Sequence, residues 1–138
     1  MVGVVLVSHS AKLAEGIAEL IAPMQPDLPV RAAGGTSDGR LGTSAERIHQ
    51  AIAELDNPDG VLILLDLGSA VMSAEIALEW LSDEQRARVL ISHAPLVEGA
   101  VLVATNAALG LSLEELATSA QEARQFPKDV GPVLSGRT

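Results

Sequence analysis

At 138 residues, with nine Lys and Arg against eighteen Asp and Glu, the chain carries a formal charge of −9, which repels phosphate backbones and anionic lipid. Nucleic acid and membrane surfaces are therefore excluded as expected partners, and one Phe, one Trp and no Tyr leave an aliphatic core with no stacking platform for bases. The lack of cysteine excludes disulfides, thiolate metal sites and thiol chemistry, in keeping with a reducing compartment, by default the cytoplasm.

The apolar run Val2–Val7 has no basic stretch before it and stops at Ser8-His9-Ser10, too short for a signal peptide or a membrane span. This run and Val61–Leu65 show no period-two alternation, the pattern of central parallel strands covered on both faces. Val30–Ala33 and Val89–Ile91 are shorter runs suited to outer strands. Between them fall helical patterns: Lys12–Ile21, with Leu13, Ile17, Leu20 and Ile21 on one face, then Ala45–Leu55 with Ile48, Ile52 and Leu55, then Ala74–Leu81. Thr43-Ser44-Ala45-Glu46 and Ser112-Leu113-Glu114-Glu115 both read as capping boxes. A final helix pair, Val97–Leu109 and Leu113–Arg124, is split by Gly110 as a helix stop.

This alternation predicts an α/β fold: a doubly wound open sheet, mainly parallel, of about four central strands with helices on both faces. Ligands bind such sheets beyond the carboxyl ends of the strands. The domain is expected to cover residues 1–126. Pro127–Thr138, with two Pro, two Gly and no apolar period, reads as a flexible tail or linker stub.

His9 stands two residues past the first strand, at the carboxyl edge, where a helix begins with Ser10 as its cap. Unpaired amides and the positive end of the helix dipole suit a phosphate oxygen there, and a neutral imidazole is a nucleophile. Asp66-Leu67-Gly68-Ser69-Ala70 follows the third strand, which in a doubly wound order neighbours the first, so Asp66 is expected beside His9. A carboxylate on one ring nitrogen fixes the tautomer and leaves the other free to attack. Gly68 permits a sharp turn, and Ser69 can donate to a phosphate.

The loop Gly34–Ser44, with Gly35, Thr36, Thr43 and Ser44, looks like an anion cradle but matches neither the P-loop nor the Rossmann fingerprint. His93 follows the outer strand and has no acidic neighbour in sequence, while His49 reads as a helix-surface residue. Three dispersed histidines make a poor zinc site, and no metal is expected.

Together, Val7-Ser8-His9-Ser10, Gly34-Gly35-Thr36 with Gly42-Thr43-Ser44, Asp66-Leu67-Gly68-Ser69-Ala70 and Pro95-Leu96-Val97-Glu98-Gly99-Ala100 resemble one family in order and spacing over residues 1–124. The family is the phosphotransferase subunit of dihydroxyacetone kinase dependent on the bacterial sugar phosphotransferase system, whose N-terminal domain is of the mannose-type enzyme IIA class. The resemblance implies a phosphoryl group on His9 Nε2, with Asp66 on Nδ1, and a homodimer. It implies the histidine-containing phosphocarrier protein as donor, and as acceptor ADP on the kinase's nucleotide-binding subunit. ADP and ATP then belong to that partner, and no cofactor is expected on this chain. Two alternatives stay open: a sugar-specific mannose-type IIA component passing phosphate to a IIB protein, and a non-catalytic small-anion or nucleotide-binding module built on the Gly34–Ser44 loop.

Overall fold

The computed structural model describes residues 1–128, so most of the expected tail lies outside the described residues. Four strands, β1 (Gly3–Ser8), β2 (Val30–Gly34), β3 (Val61–Leu65) and β4 (Val89–Ile91), form one sheet in the order β2-β1-β3-β4. Every pairing is parallel. The connecting helices are α1 (Ala11–Ile21), α2 (Ala45–Leu55), α3 (Ala70–Glu79), the single turn α4 (Asp83–Arg86), α5 (Leu96–Asn106) and α6 (Leu113–Gln121).

All residues of β1 and β3 are buried, which is why these segments read as unbroken apolar runs. Successive side chains go to opposite faces. Val4, Leu6, Leu62 and Leu64 pack with Ile17 and Ile21 of α1, Val103 of α5 and Leu116 of α6. Val5, Val7, Ile63 and Leu65 pack with Ile48 and Ile52 of α2 and Ala74 and Ala77 of α3. Each large aliphatic side chain so covered contributes about 1.5–3 kcal/mol relative to exposure, and together they hold the carboxyl ends of β1 and β3 side by side.

Four local expectations are corrected. Helix α1 buries Ala14, Ile17 and Ile21, whereas Leu13 and Leu20 are exposed. One face of an eleven-residue helix cannot bury all its apolar residues when the sheet meets it along a narrow line. The cap of α2 is Ser44 rather than Thr43; its hydroxyl accepts from the Arg47 amide, so Glu46 falls one place short of the capping-box position. Helix α3 starts at Ala70, four residues before the expected Ala74, because the turn Asp66–Ser69 feeds directly into it. The helices expected to end at Leu109 and Arg124 each finish instead in a short 3₁₀ segment, Ala107–Leu109 and Glu122–Gln125. The Ser112 capping box is present, and Gly110 takes the left-handed conformation at φ 72°.

Candidate functional site

The register that sets Val7 opposite Leu65 carries His9 and Asp66 off neighbouring strand ends together. The His9 amide donates to Asp66 Oδ2 at 2.9 Å, and its ring Nδ1 lies 3.0 Å from Oδ1 and 3.2 Å from Oδ2. Ser8 Oγ and the Leu67 amide donate to the same carboxylate at 3.1 and 2.7 Å. Asp66 is 11% exposed and His9 31%, so the carboxylate is sheltered while the ring reaches solvent. Burial pushes the Asp66 carboxyl up. The hydrogen bonds from His9, Ser8 and Leu67 outweigh burial and hold it below the ordinary carboxylate value. An anion that accepts at this position makes Nδ1 the protonated nitrogen and leaves the lone pair on Nε2.

The hydroxyl of Ser69 lies 3.0 Å from Nε2. Ser69 heads α3 in a helical conformation without a side-chain capping bond, so its hydroxyl is free to donate to the ring. On the other flank, Ser10 caps α1 in extended backbone, its Oγ accepting from the Leu13 amide at 3.2 Å. Gly68 lies in the turn between Asp66 and Ser69, with open space where a Cβ would stand.

The Gly34–Ser44 loop is not the open amide cradle expected. The Gly35 amide donates to Ser8 O at 3.0 Å, Thr36 to Arg40 O at 2.8 Å, and Gly42 to His9 O at 2.8 Å. Its hydroxyls are engaged too: Thr36 with Asp38, Thr43 with Ser73 at 2.6 Å, and Ser44 with Ser37 at 3.1 Å. Gly34 and Gly35 serve a close approach. A Cβ on Gly34 would stand 2.4 Å from Ser10 O, and Gly35 adopts φ +73°. The structure thus assembles His9, Asp66 and Ser69 by direct hydrogen bonds, with Ser10 and Gly68 adjoining, while Gly35, Thr36, Thr43 and Ser44 brace the loop beneath.

Ser8 is the residue that sequence reasoning missed. It is fully buried, donating to Asp66 and accepting from the Ser10 amide at 3.0 Å. Its signal was a polar residue ending an otherwise apolar strand. His93 borders a groove of about 280 Å³ beside the Asp66–Gly68 turn, where its carbonyl accepts from Arg124 at 3.2 Å. His49 packs edge-on against Trp80 at 5.7 Å between ring centres. Glu98, in the first turn of α5, pairs with Lys128 at 2.8 Å, and that ammonium draws its carboxyl below the usual range. Among the described residues no group of three His, Asp or Glu side chains is placed to hold a metal ion.

The family model described as the PTS system fructose IIA component matches residues 3–117. The chain belongs to the mannose-type enzyme IIA family. Within that family it groups with phosphotransferase subunits of dihydroxyacetone kinase. The phosphoryl donor subunit of PEP-dependent dihydroxyacetone kinase 2 from Listeria innocua is 44% identical over 117 residues, covering 84% of this chain and 94% of that protein. The corresponding Escherichia coli subunit is 37% identical over 133 residues, which are 94% of this chain and 28% of that longer protein. The crystal structure of an unknown function protein, EF1359, superposes with a TM-score of 0.79 at 39% identity, covering 88% of this chain and 94% of that one.

Proposed function

We propose that this mannose-type IIA domain carries a phosphoryl group on His9 between two proteins of a dihydroxyacetone kinase system. The Nε2 lone pair attacks the phosphorus of the phosphorylated histidine on the histidine-containing phosphocarrier protein. As the new N–P bond forms, the donor's N–P bond breaks and the donor imidazole keeps the electron pair. The Nδ1 proton stays on His9, and Asp66 stabilises the positive charge that develops on the ring. Ser69 releases Nε2 and turns to a phosphoryl oxygen, joined by first-turn amides of α1. In the second step a terminal phosphate oxygen of ADP, held on the nucleotide-binding subunit of the kinase, attacks the same phosphorus and His9 regains its lone pair. The chain needs no cofactor of its own for this chemistry, which rests on positioning and charge. A homodimer working in the cytoplasm completes the proposal; among the described residues no helix is long and apolar enough to cross a membrane.

The observation that carries this reading is the two-sided imidazole: Nδ1 on a sheltered carboxylate, Nε2 on an exposed hydroxyl that can be displaced. The names of the relatives support a dihydroxyacetone kinase as the receiving system, since both are called phosphoryl donor subunits of that kinase. Incubation with phosphorylated carrier protein should add one phosphoryl group by intact mass, mapped to His9 under non-acidic conditions. Labelling of a His9→Ala variant would overturn the assignment. Transfer from labelled chain to a IIB protein, in preference to the ADP-loaded kinase subunit, would overturn the acceptor.

A further inference from the structure

A cavity of about 200 Å³ opens between the edge strand β2 and helix α2. It is lined by Arg31 and Ala32 of β2 and by Arg47, Gln50, Ala51 and Glu54 of α2. Positions 47, 50, 51 and 54 share one side of a helix. Arg31 lies opposite Val5 in the strand register, and Val5 packs on α2, so this arginine projects to the same side of the sheet. The small side chains of Ala32 and Ala51 leave the room that the longer ones surround. None of the six hydrogen-bonds to His9, Asp66 or Ser69, which sets the cavity apart from the reactive ring.

Two of the nine basic side chains of an otherwise acidic chain meet here. Arg31 is largely satisfied: its Nε donates to Glu54 Oε2 at 2.9 Å and its Nη1 to Val30 O at 2.9 Å. Gln50 Nε2 donates to the other oxygen of Glu54 at 3.2 Å, so that carboxylate is engaged on both sides. Arg47 is not matched in this way. Among the described residues its guanidinium pairs with no carboxylate, and its buried Nε has no hydrogen-bond partner. A charged donor stranded under the surface is unfavourable until an acceptor reaches it. Since Glu54 cancels Arg31, the cavity carries the one positive charge of Arg47.

We infer that this cavity binds a phosphoryl group, free or carried on a small metabolite. The Arg47 guanidinium takes two of its oxygens, and Arg31 Nη2 and the second Gln50 N–H take the third. A turn of the Arg47 guanidinium presents Nε beside one terminal nitrogen, the edge that pairs side-on with two oxygens of one anion. The number of donors favours phosphoryl over carboxylate: the five N–H groups of Arg47 and those left on Arg31 and Gln50 exceed what two oxygens accept. The inference stands whether or not His9 carries a phosphoryl group.

The test titrates the full chain with inorganic phosphate and, separately, with glycerol 3-phosphate, at an ionic strength held constant with chloride. Arginine Nε–H resonances are followed by NMR, and that of Arg47 is identified by its loss in Arg47→Gln. It should shift saturably, with a Kd of about 1 mM or tighter. Binding, followed through the α2 backbone amides, should weaken at least tenfold in Arg47→Gln and in Arg47→Lys, which keeps the charge without the fork. Phosphate should raise the melting temperature of the wild type but not of Arg47→Gln. Without phosphate, Arg47→Gln should melt no lower than the wild type, because it removes a stranded charge. His9→Ala should bind as the wild type does. Tighter binding of the ester would identify a metabolite as the source, and equal or weaker binding the free ion. An Arg47 Nε–H that does not shift saturably would overturn the site, as would shifts confined to the first turn of α1 and lost in His9→Ala. An equal response to acetate would overturn the choice of phosphoryl.

Discussion

Asp66→Asn isolates the contribution of the carboxylate. Asp66 accepts from four donors: the His9 amide, His9 Nδ1, Ser8 Oγ and the Leu67 amide. An asparagine offers one oxygen and one NH₂. With its oxygen in the Oδ2 place it keeps the His9 amide and Ser8, but its NH₂ then faces the Leu67 amide and Nδ1–H. The ring relieves that clash by moving its proton to Nε2, which removes the attacking lone pair. In the reverse orientation the NH₂ opposes the His9 amide and the entry of α1 is disturbed. Either way one or two hydrogen bonds to a charged acceptor are lost, at about 1.5–3 kcal/mol each, so stability should fall by about 1.5–6 kcal/mol. A misdirected tautomer should slow phosphoryl uptake by about 10²–10⁴-fold. Rapid-quench labelling followed by intact mass measures the rate, and urea unfolding the stability. The sign with pH follows from the lowered carboxyl: its contribution is complete above its ordinary value of 3.8 and is lost as pH falls through its lower folded value. The stability gap between wild type and variant should therefore be flat near neutrality and close only in acid. Uptake by Asp66→Asn at the wild-type rate would refute the role given to this carboxylate.

Ser69→Ala should slow labelling by about tenfold while leaving urea stability nearly unchanged, because the hydroxyl serves the ring and not the helix cap. Ser8→Ala should cost about 1–3 kcal/mol in thermal or urea unfolding, since it strands the half-buried Ser10 amide and removes a donor from Asp66. Gly34→Ala should be more damaging than its size suggests, about 1–3 kcal/mol or more, because the new Cβ would meet Ser10 backbone at 2.4 Å and push α1 off the site. Its labelling rate should fall with stability, whereas Gly39→Ala, with open space at its Cβ but φ +83°, should lose stability alone.

The strands were legible because parallel strands buried on both sides demand uninterrupted apolar runs; Val61–Leu65 and Val89–Ile91 are found as read. The pairing of His9 with Asp66 was legible for a topological reason: two strand ends adjacent in a doubly wound sheet bring their following residues together. The Gly34–Ser44 loop misled because glycines and hydroxyls are needed equally for a phosphate cradle and for a loop that hydrogen-bonds to its own residues and to the end of β1, and only the paths of the amides separate the two. The turn α4 escaped notice since four residues carry no period, although its Ser82–Gln85 capping box was a usable sign. Leu13 and Leu20 were assigned inward by spacing alone, which gives a face its direction but not its width.

The placement of the site explains how one sheet fixes its geometry. His9 and Asp66 are 57 residues apart in sequence, yet each follows directly on a strand whose every side chain is buried, so neither can drift without disturbing the core. Ser8 reinforces this from within the strand, tying Asp66 to the first amide of the turn into α1. Precision is therefore supplied by the central sheet, which leaves the outer surface free to be shaped for partners. That division fits a chemistry in which the reacting atom must accept a phosphoryl group from one protein and release it to another. The imidazole must stay fixed while the surfaces around it are exchanged, and a rigid strand end beside an exposed helix face meets both demands.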